Sequence, residues 1–142
     1  MNTRKKIFAA VVLTMVLSIA AWATRVSITP QTPKGPYPGT VNAGDLALTF
    51  TAADATNFNQ FAAVGNEILI VQNTDAASQT VTFTSRADNF GRSGDVGPYT
   101  LTTGTFAVFN FRNANQGWIQ ADGNVYFQAS TTTVKFAVLR VQ

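Results

Sequence analysis

From Leu46 to the end of the chain, apolar and polar residues alternate in short runs with a period of two. That is the spacing of strands whose alternate side chains face a core, and turn-forming residues separate the runs. Leu46, Leu48 and Phe50 alternate with Ala47, Thr49 and Thr51. Glu67 to Asn73 is apolar on both faces and predicts a central strand, while Thr80 to Thr84 alternates with Val81 and Phe83 inward. The polar segment Thr74 to Ser78 between them predicts an antiparallel hairpin. A long glycine-containing loop, Ser85 to Gly97, precedes Tyr99 to Leu101, and Thr102-Thr103-Gly104 reads as a hairpin-type turn into Thr105 to Phe111. In that last run Phe106 and Val108 share one face, and Ala107, Phe109 and Phe111 share the other. Trp118-Ile119, Val125 to Gln128 and Val134 to Val141 complete the set. About eight or nine short strands at such spacing predict an all-β fold, an antiparallel β-sandwich that is jelly-roll-like or immunoglobulin-like. Between Leu46 and the C-terminus the helical signal is confined to one turn over Ala52 to Thr56.

The N-terminal segment has a different pattern. Arg4, Lys5 and Lys6 precede an apolar run from Ile7 that ends at Ala21-Trp22-Ala23. A positive end, an apolar helix and small residues at a cleavage position are the features of an export signal. The run of 17 residues to Ala23 is at the short limit for a membrane span of about 20. Residues 1–23 therefore read as a signal peptide or, if uncleaved, a membrane anchor, and cleavage would leave Thr24 as the first residue. Residues 24–45 form a Pro-rich extended arm, because Pro30, Pro33, Pro36 and Pro38 fix φ and remove backbone donors. Such an arm either lies along its own domain or reaches a neighbouring subunit, in which case Ile28, Pro30, Pro33, Pro36, Tyr37 and Pro38 are the contact residues. Residues 46–142 form the sandwich.

Charge narrows the functional classes. The formal charge of +3 comes entirely from Arg4, Lys5 and Lys6; from Thr24 onward seven basic residues face seven acidic ones. A neutral domain has no bulk attraction for phosphate backbones, which argues against nucleic acid as a partner. The chain has no Cys and no His, so it lacks thiolate metal ligands and the commonest general base. It also lacks a nucleophile elbow, a phosphate-binding glycine loop and a nucleotide fingerprint. The expectation is a protein that is not an enzyme and carries no cofactor. Two weaker site readings remain. Asp88, Asn89 and Asp95 offer oxygen ligands for calcium on a glycine-containing loop, although turns at Asp88 and Asn89 and an Asp95–Arg92 pair account for them as well. Tyr99, Trp118 and Tyr126 are the aromatics best placed for a carbohydrate platform.

Several runs together resemble a known group. They are Ser27 to Thr40 (SITPQTPKGPYPGT), Phe50 to Thr56, Gly65 to Thr74 (GNEILIVQNT), Phe90 to Asp95 (FGRSGD), Gly117-Trp118, Asp122-Gly123 and Val134 to Arg140. In these the chain is similar to small accessory, head decoration-like β-domain proteins of tailed bacteriophages and prophages. The resemblance implies a compact β domain that decorates or cements a capsid, with self-assembly or capsid proteins as partners and no catalytic residue. The export-signal-like N-terminus implies a second setting, an exported surface or filament component, with membrane contact only through residues 1–23. The expected function is thus a non-enzymatic structural subunit of a repeated assembly, in a virion or at the cell surface. The alternative is a secreted carbohydrate- or cell-surface-binding module.

Overall fold

The computed structural model describes residues 24–34, 47–112 and 117–141. The predicted N-terminal helix and the start of the first strand at Leu46 lie outside them. Among the described residues there are nine strands and no helix: β1 (Val26–Ser27), β2 (Thr51–Ala52), β3 (Asn59–Ala62), β4 (Glu67–Asn73), β5 (Gln79–Thr84), β6 (Val96–Leu101), β7 (Phe106–Asn110), β8 (Asn124–Ala129) and β9 (Val134–Arg140). They make two sheets, one of order β1-β3-β8-β5-β6 and one of order β2-β9-β4-β7.

The pairing is nested. β5 pairs β6, β4 pairs β7, β3 pairs β8 and β2 pairs β9, all antiparallel. The chain is therefore one long ribbon doubled back at β5–β6, its successive rungs laid alternately into the two sheets. Pairing of β4 with β9 and of β5 with β8 closes each sheet. The inward residues of both sheets meet in one core, in which Phe61, Phe83, Phe127 and Phe136 are buried. Their rings stand at tilted or edge-on angles with centroids 4.7 to 6.1 Å apart between Phe127 and its three neighbours, the spacing at which aromatic pairs attract. Each buried side chain contributes roughly 1.5–3 kcal/mol.

The inward phases agree with the alternation read from the sequence, but the predicted hairpin does not form. β4 and β5 belong to different sheets, because both edges of β4 are already taken by β9 and β7. Loop 74–78 is instead a crossover, and the turn after Leu101 is another, leading from β6 in one sheet to β7 in the other. Asn73, fully buried, holds the two crossovers together. Its side-chain amide donates to the carbonyls of Ala77, Leu101 and Thr102 at 2.9, 3.1 and 3.2 Å. The strand expected over Leu46 to Thr51 is reduced to β2, and Trp118-Ile119 to a single bridge between Ile119 and Val125. In place of a helical turn at Ala52 to Thr56, the Asp54 carboxylate accepts from the backbone N–H of Thr56 and Asn57 at 2.9 and 2.8 Å.

A buried carboxylate fixes the β3–β4 turn. Glu67 has no accessible surface, and its two oxygens accept from the backbone N–H groups of Val64, Gly65 and Asn66 at 3.0 to 3.1 Å. Arg140 on β9 donates to it through Nε at 2.8 Å and reaches the Ala62 carbonyl through Nη2 at 2.8 Å. Burial pushes the Glu67 carboxyl up, but the Arg140 bond and the three backbone donors outweigh it and hold the group below its ordinary value.

Candidate functional site

The arm lies against its own domain as far as it is described. Val26 N–H donates to the Phe58 carbonyl at 2.9 Å and Ile28 N–H to Gln60 at 2.8 Å, which adds β1 beside β3 in parallel. The Arg25 guanidinium stacks over the Tyr126 ring at 4.2 Å and over Phe58 at 5.3 Å, a cation–π arrangement. Gln31 then takes the edge of β9: its N–H donates to Val138, and its carbonyl accepts from Arg140 N–H, both at 2.8 Å. Its side-chain amide does the same to Thr49, donating to the carbonyl at 2.7 Å and accepting from the N–H at 2.9 Å. Ile28 is buried in the domain's own core, Pro30 is half-buried and Pro33 is exposed. Pro36, Tyr37 and Pro38 lie outside the described residues.

The acidic loop satisfies its own carboxylates. Asp88 accepts from the backbone N–H of Phe90 and Arg92 and forms the ion pair with Arg92 at 2.7 Å. The backbone and side-chain bonds from Arg92 hold its carboxyl below the usual range. Arg92 therefore pairs with Asp88 and not with Asp95, which accepts from Ser85 N–H and Oγ at 2.8 and 3.1 Å. Asn89 is exposed. Among the described residues no three Asp or Glu side chains gather into a group that could hold a metal ion.

The aromatics separate into two places. Tyr126 lies on the outward phase of β8, where its hydroxyl donates to Asp122 Oδ2 at 2.8 Å. That bond raises the phenol and, after the Asn124 side-chain bond and against burial, helps to lower the Asp122 carboxyl. Tyr99 instead lies at the open margin between the two sheets, where β6 ends one sheet and β7 ends the other, and Trp118 lines a cavity there. There Val96 lies opposite Phe83 and Tyr99 opposite Val81. The Phe109 ring sits between the two sheets, 4.5 Å from Phe83 and 5.3 Å from Tyr99. A cavity of about 170 Å³ opens here, lined by Phe83, Val96, Phe109, Asn110, Phe111 and Trp118. It is smaller than the roughly 300–1,000 Å³ of most ligand pockets and has room for a single large side chain.

Beside the cavity the outer face of β7 presents Phe106, 58% exposed, and Val108, 66% exposed. The Phe50 ring extends this patch, 6.1 Å from Phe106. The whole stretch from Val96 to Phe111 carries no charged residue. Large exposed apolar side chains on an uncharged margin mark an interaction surface more than a ligand pocket. The period-two pattern separated the Phe106–Val108 face from its opposite, but the exposure of that face follows from the edge position of β7, which local sequence does not encode.

No protein-family model, no curated protein and no solved structure matches this chain.

Proposed function

We propose that the chain is a jelly-roll domain acting as a non-enzymatic structural subunit of a repeated assembly, and that its neighbours meet it at the β6–β7 margin. The nested antiparallel ribbon supports jelly-roll over immunoglobulin-like, because a jelly roll is one doubled ribbon wrapped into two sheets. The observation that carries the assembly reading is the uncharged margin with Val96, Tyr99, Phe106 and Val108 exposed along it. Apolar residues leave water when neighbours pack there, and the neutral domain adds no long-range repulsion between copies. The settings that fit are a virion, as the resemblance to decoration-like proteins suggests, and a cell-surface or filament assembly reached by export through residues 1–23. The carbohydrate alternative has less support. Tyr126 lies on the outward phase of β8, whereas Trp118 is half-buried against the core rather than displayed as a platform.

Light scattering of the full chain over a range of concentrations tests this reading. The expected result is a mass that rises above the monomer without added ligand. A mass that stays monomeric, together with binding on a glycan panel that Trp118→Ala abolishes, would favour the carbohydrate module instead.

A further inference from the structure

The domain protects its sheet edges unequally. β1 and β2, which end the two sheets on one side, are only two residues long, and a short edge offers little to a pairing strand. β6 carries Pro98, which has no N–H to give. β7 is the exception: five residues, Phe106 to Asn110, with no proline and no charge, and β4 as its neighbour in the sheet. Unpaired, uncharged edges of this kind template further strands unless a partner covers them.

Among the described residues the free groups of β7 are these. Asn73 N–H donates to Thr105 O at 3.0 Å and Phe111 N–H to Glu67 O at 2.9 Å. The hydrogen-bonded pairs between β4 and β7 therefore fall at the odd positions of β7, and strict alternation sends the N–H and C=O of Phe106, Val108 and Asn110 outward along the open edge. The outward side chains of those same residues include the exposed Phe106 and Val108.

From this we infer that β7 pairs antiparallel with β7 of a second copy, about a two-fold axis at Val108; the inference rests on the assembly reading above and specifies its interface. In this register Val108 faces Val108, and Phe106 of each copy faces Asn110 of the other. Three pairs exchange about six backbone hydrogen bonds and join two four-stranded sheets into one. A second copy is the occupant because an isologous contact sets each residue near its own symmetry mate. Any charge close to the axis would meet itself, and the run from Val96 to Phe111 has none. The nearest charge along the strand, Arg112, lies eight residues of strand from its mate, about 26 Å, beyond the screening length of about 8–10 Å. The axis also brings the rim of the Phe83–Phe109–Trp118 cavity to the interface.

The chain contains no cysteine, so single cysteines report the register without background. Hydrogen-bonded partners stand about 5.5 Å apart between Cα atoms, within disulfide reach. Mild oxidation of full-length Val108→Cys is expected to yield a covalent dimer. Phe106→Cys alone should not cross-link, its mate being about 13 Å away, but mixed with Asn110→Cys it should form the heterodimer. Val108→Lys, which sets two like charges opposite each other, should weaken self-association about fivefold in sedimentation velocity while its circular dichroism stays that of the parent. A parent chain that associates while Val108→Cys fails to cross-link would overturn this interface and leave the assembly reading standing. A chain that is monomeric throughout, with no cross-link, would overturn both.

Discussion

Replacing Glu67 by Gln tests the reasoning where the structure is most specific. The substitution keeps the volume and removes the charge. It also turns one acceptor oxygen into an NH₂ donor, which faces donors in either orientation: Val64 N–H and Arg140 Nε at Oε1, or the N–H groups of Val64, Gly65 and Asn66 at Oε2. Arg140, 35% exposed at its side chain, keeps its Ala62 bond but loses its carboxylate. Removing one partner of a buried, hydrogen-bonded ion pair typically costs about 3–5 kcal/mol, because the other groups stay desolvated and unpaired. For a domain of this size that is a fall in Tm of roughly 10–20 °C. Urea unfolding followed by near-ultraviolet circular dichroism and by calorimetry would read it. The acid limb adds a second signature. The Glu67 carboxyl is held low in the folded state, so its contribution is present above the unfolded value of about 4.3 and is lost as pH falls through the lower folded value. The gap between parent and Glu67→Gln should therefore be full at neutral pH and narrow as pH falls from about 4.3 toward the lower folded value. A loss under about 1 kcal/mol at pH 7, or a gap that does not change with acid, would refute the claim that this carboxylate clamps the turn.

Two further substitutions probe the crossovers and the β5–β6 pair. Asn73→Ala leaves the carbonyls of Ala77, Leu101 and Thr102 without their shared donor, and a loss of about 2–4 kcal/mol is expected in urea; a loss near zero would mean water replaces the amide. Gly97→Ala should cost at least ~1 kcal/mol in the same assay. Gly97 has a φ of +131°, and an added Cβ would lie 2.9 Å from Thr82 Cα in the neighbouring strand.

What could be read from sequence was local. The alternation in β5 and β9 places Val81, Phe83, Val134, Phe136 and Val138 inward, and the structure has them there, because strand periodicity needs only a few neighbouring residues. The choice of sheet was not legible. Thr74 to Ser78 shows that the chain turns but not into which layer, and that depends on β7 and β9 already flanking β4. β3 was hidden by Asn59, a buried amide on an inward position, whose Oδ1 accepts from Asp54 N–H at 3.1 Å. Glu67 resembled an ordinary charged strand end, since the residue that makes it structural, Arg140, lies 73 positions away. At the candidate margin, sequence singled out Tyr99 and Trp118 for their chemistry but not Phe106 and Val108, whose importance comes from position in the sheet. The arm could be read both ways, and the backbone bonds of Val26, Ile28 and Gln31 go to its own domain.

The doubled ribbon also dictates an order of events during synthesis. Only its tip, β5 with β6, joins neighbours in sequence; each later rung brings together segments farther apart, until β2 meets β9 across more than eighty residues. Contacts so distant along the chain form slowly, because the intervening loop must be closed before anything is gained. β9 supplies the edge that both β2 and Gln31 occupy, and it lies far beyond both of them along the chain. The arm consequently has no complete site to settle on until β9 has been made.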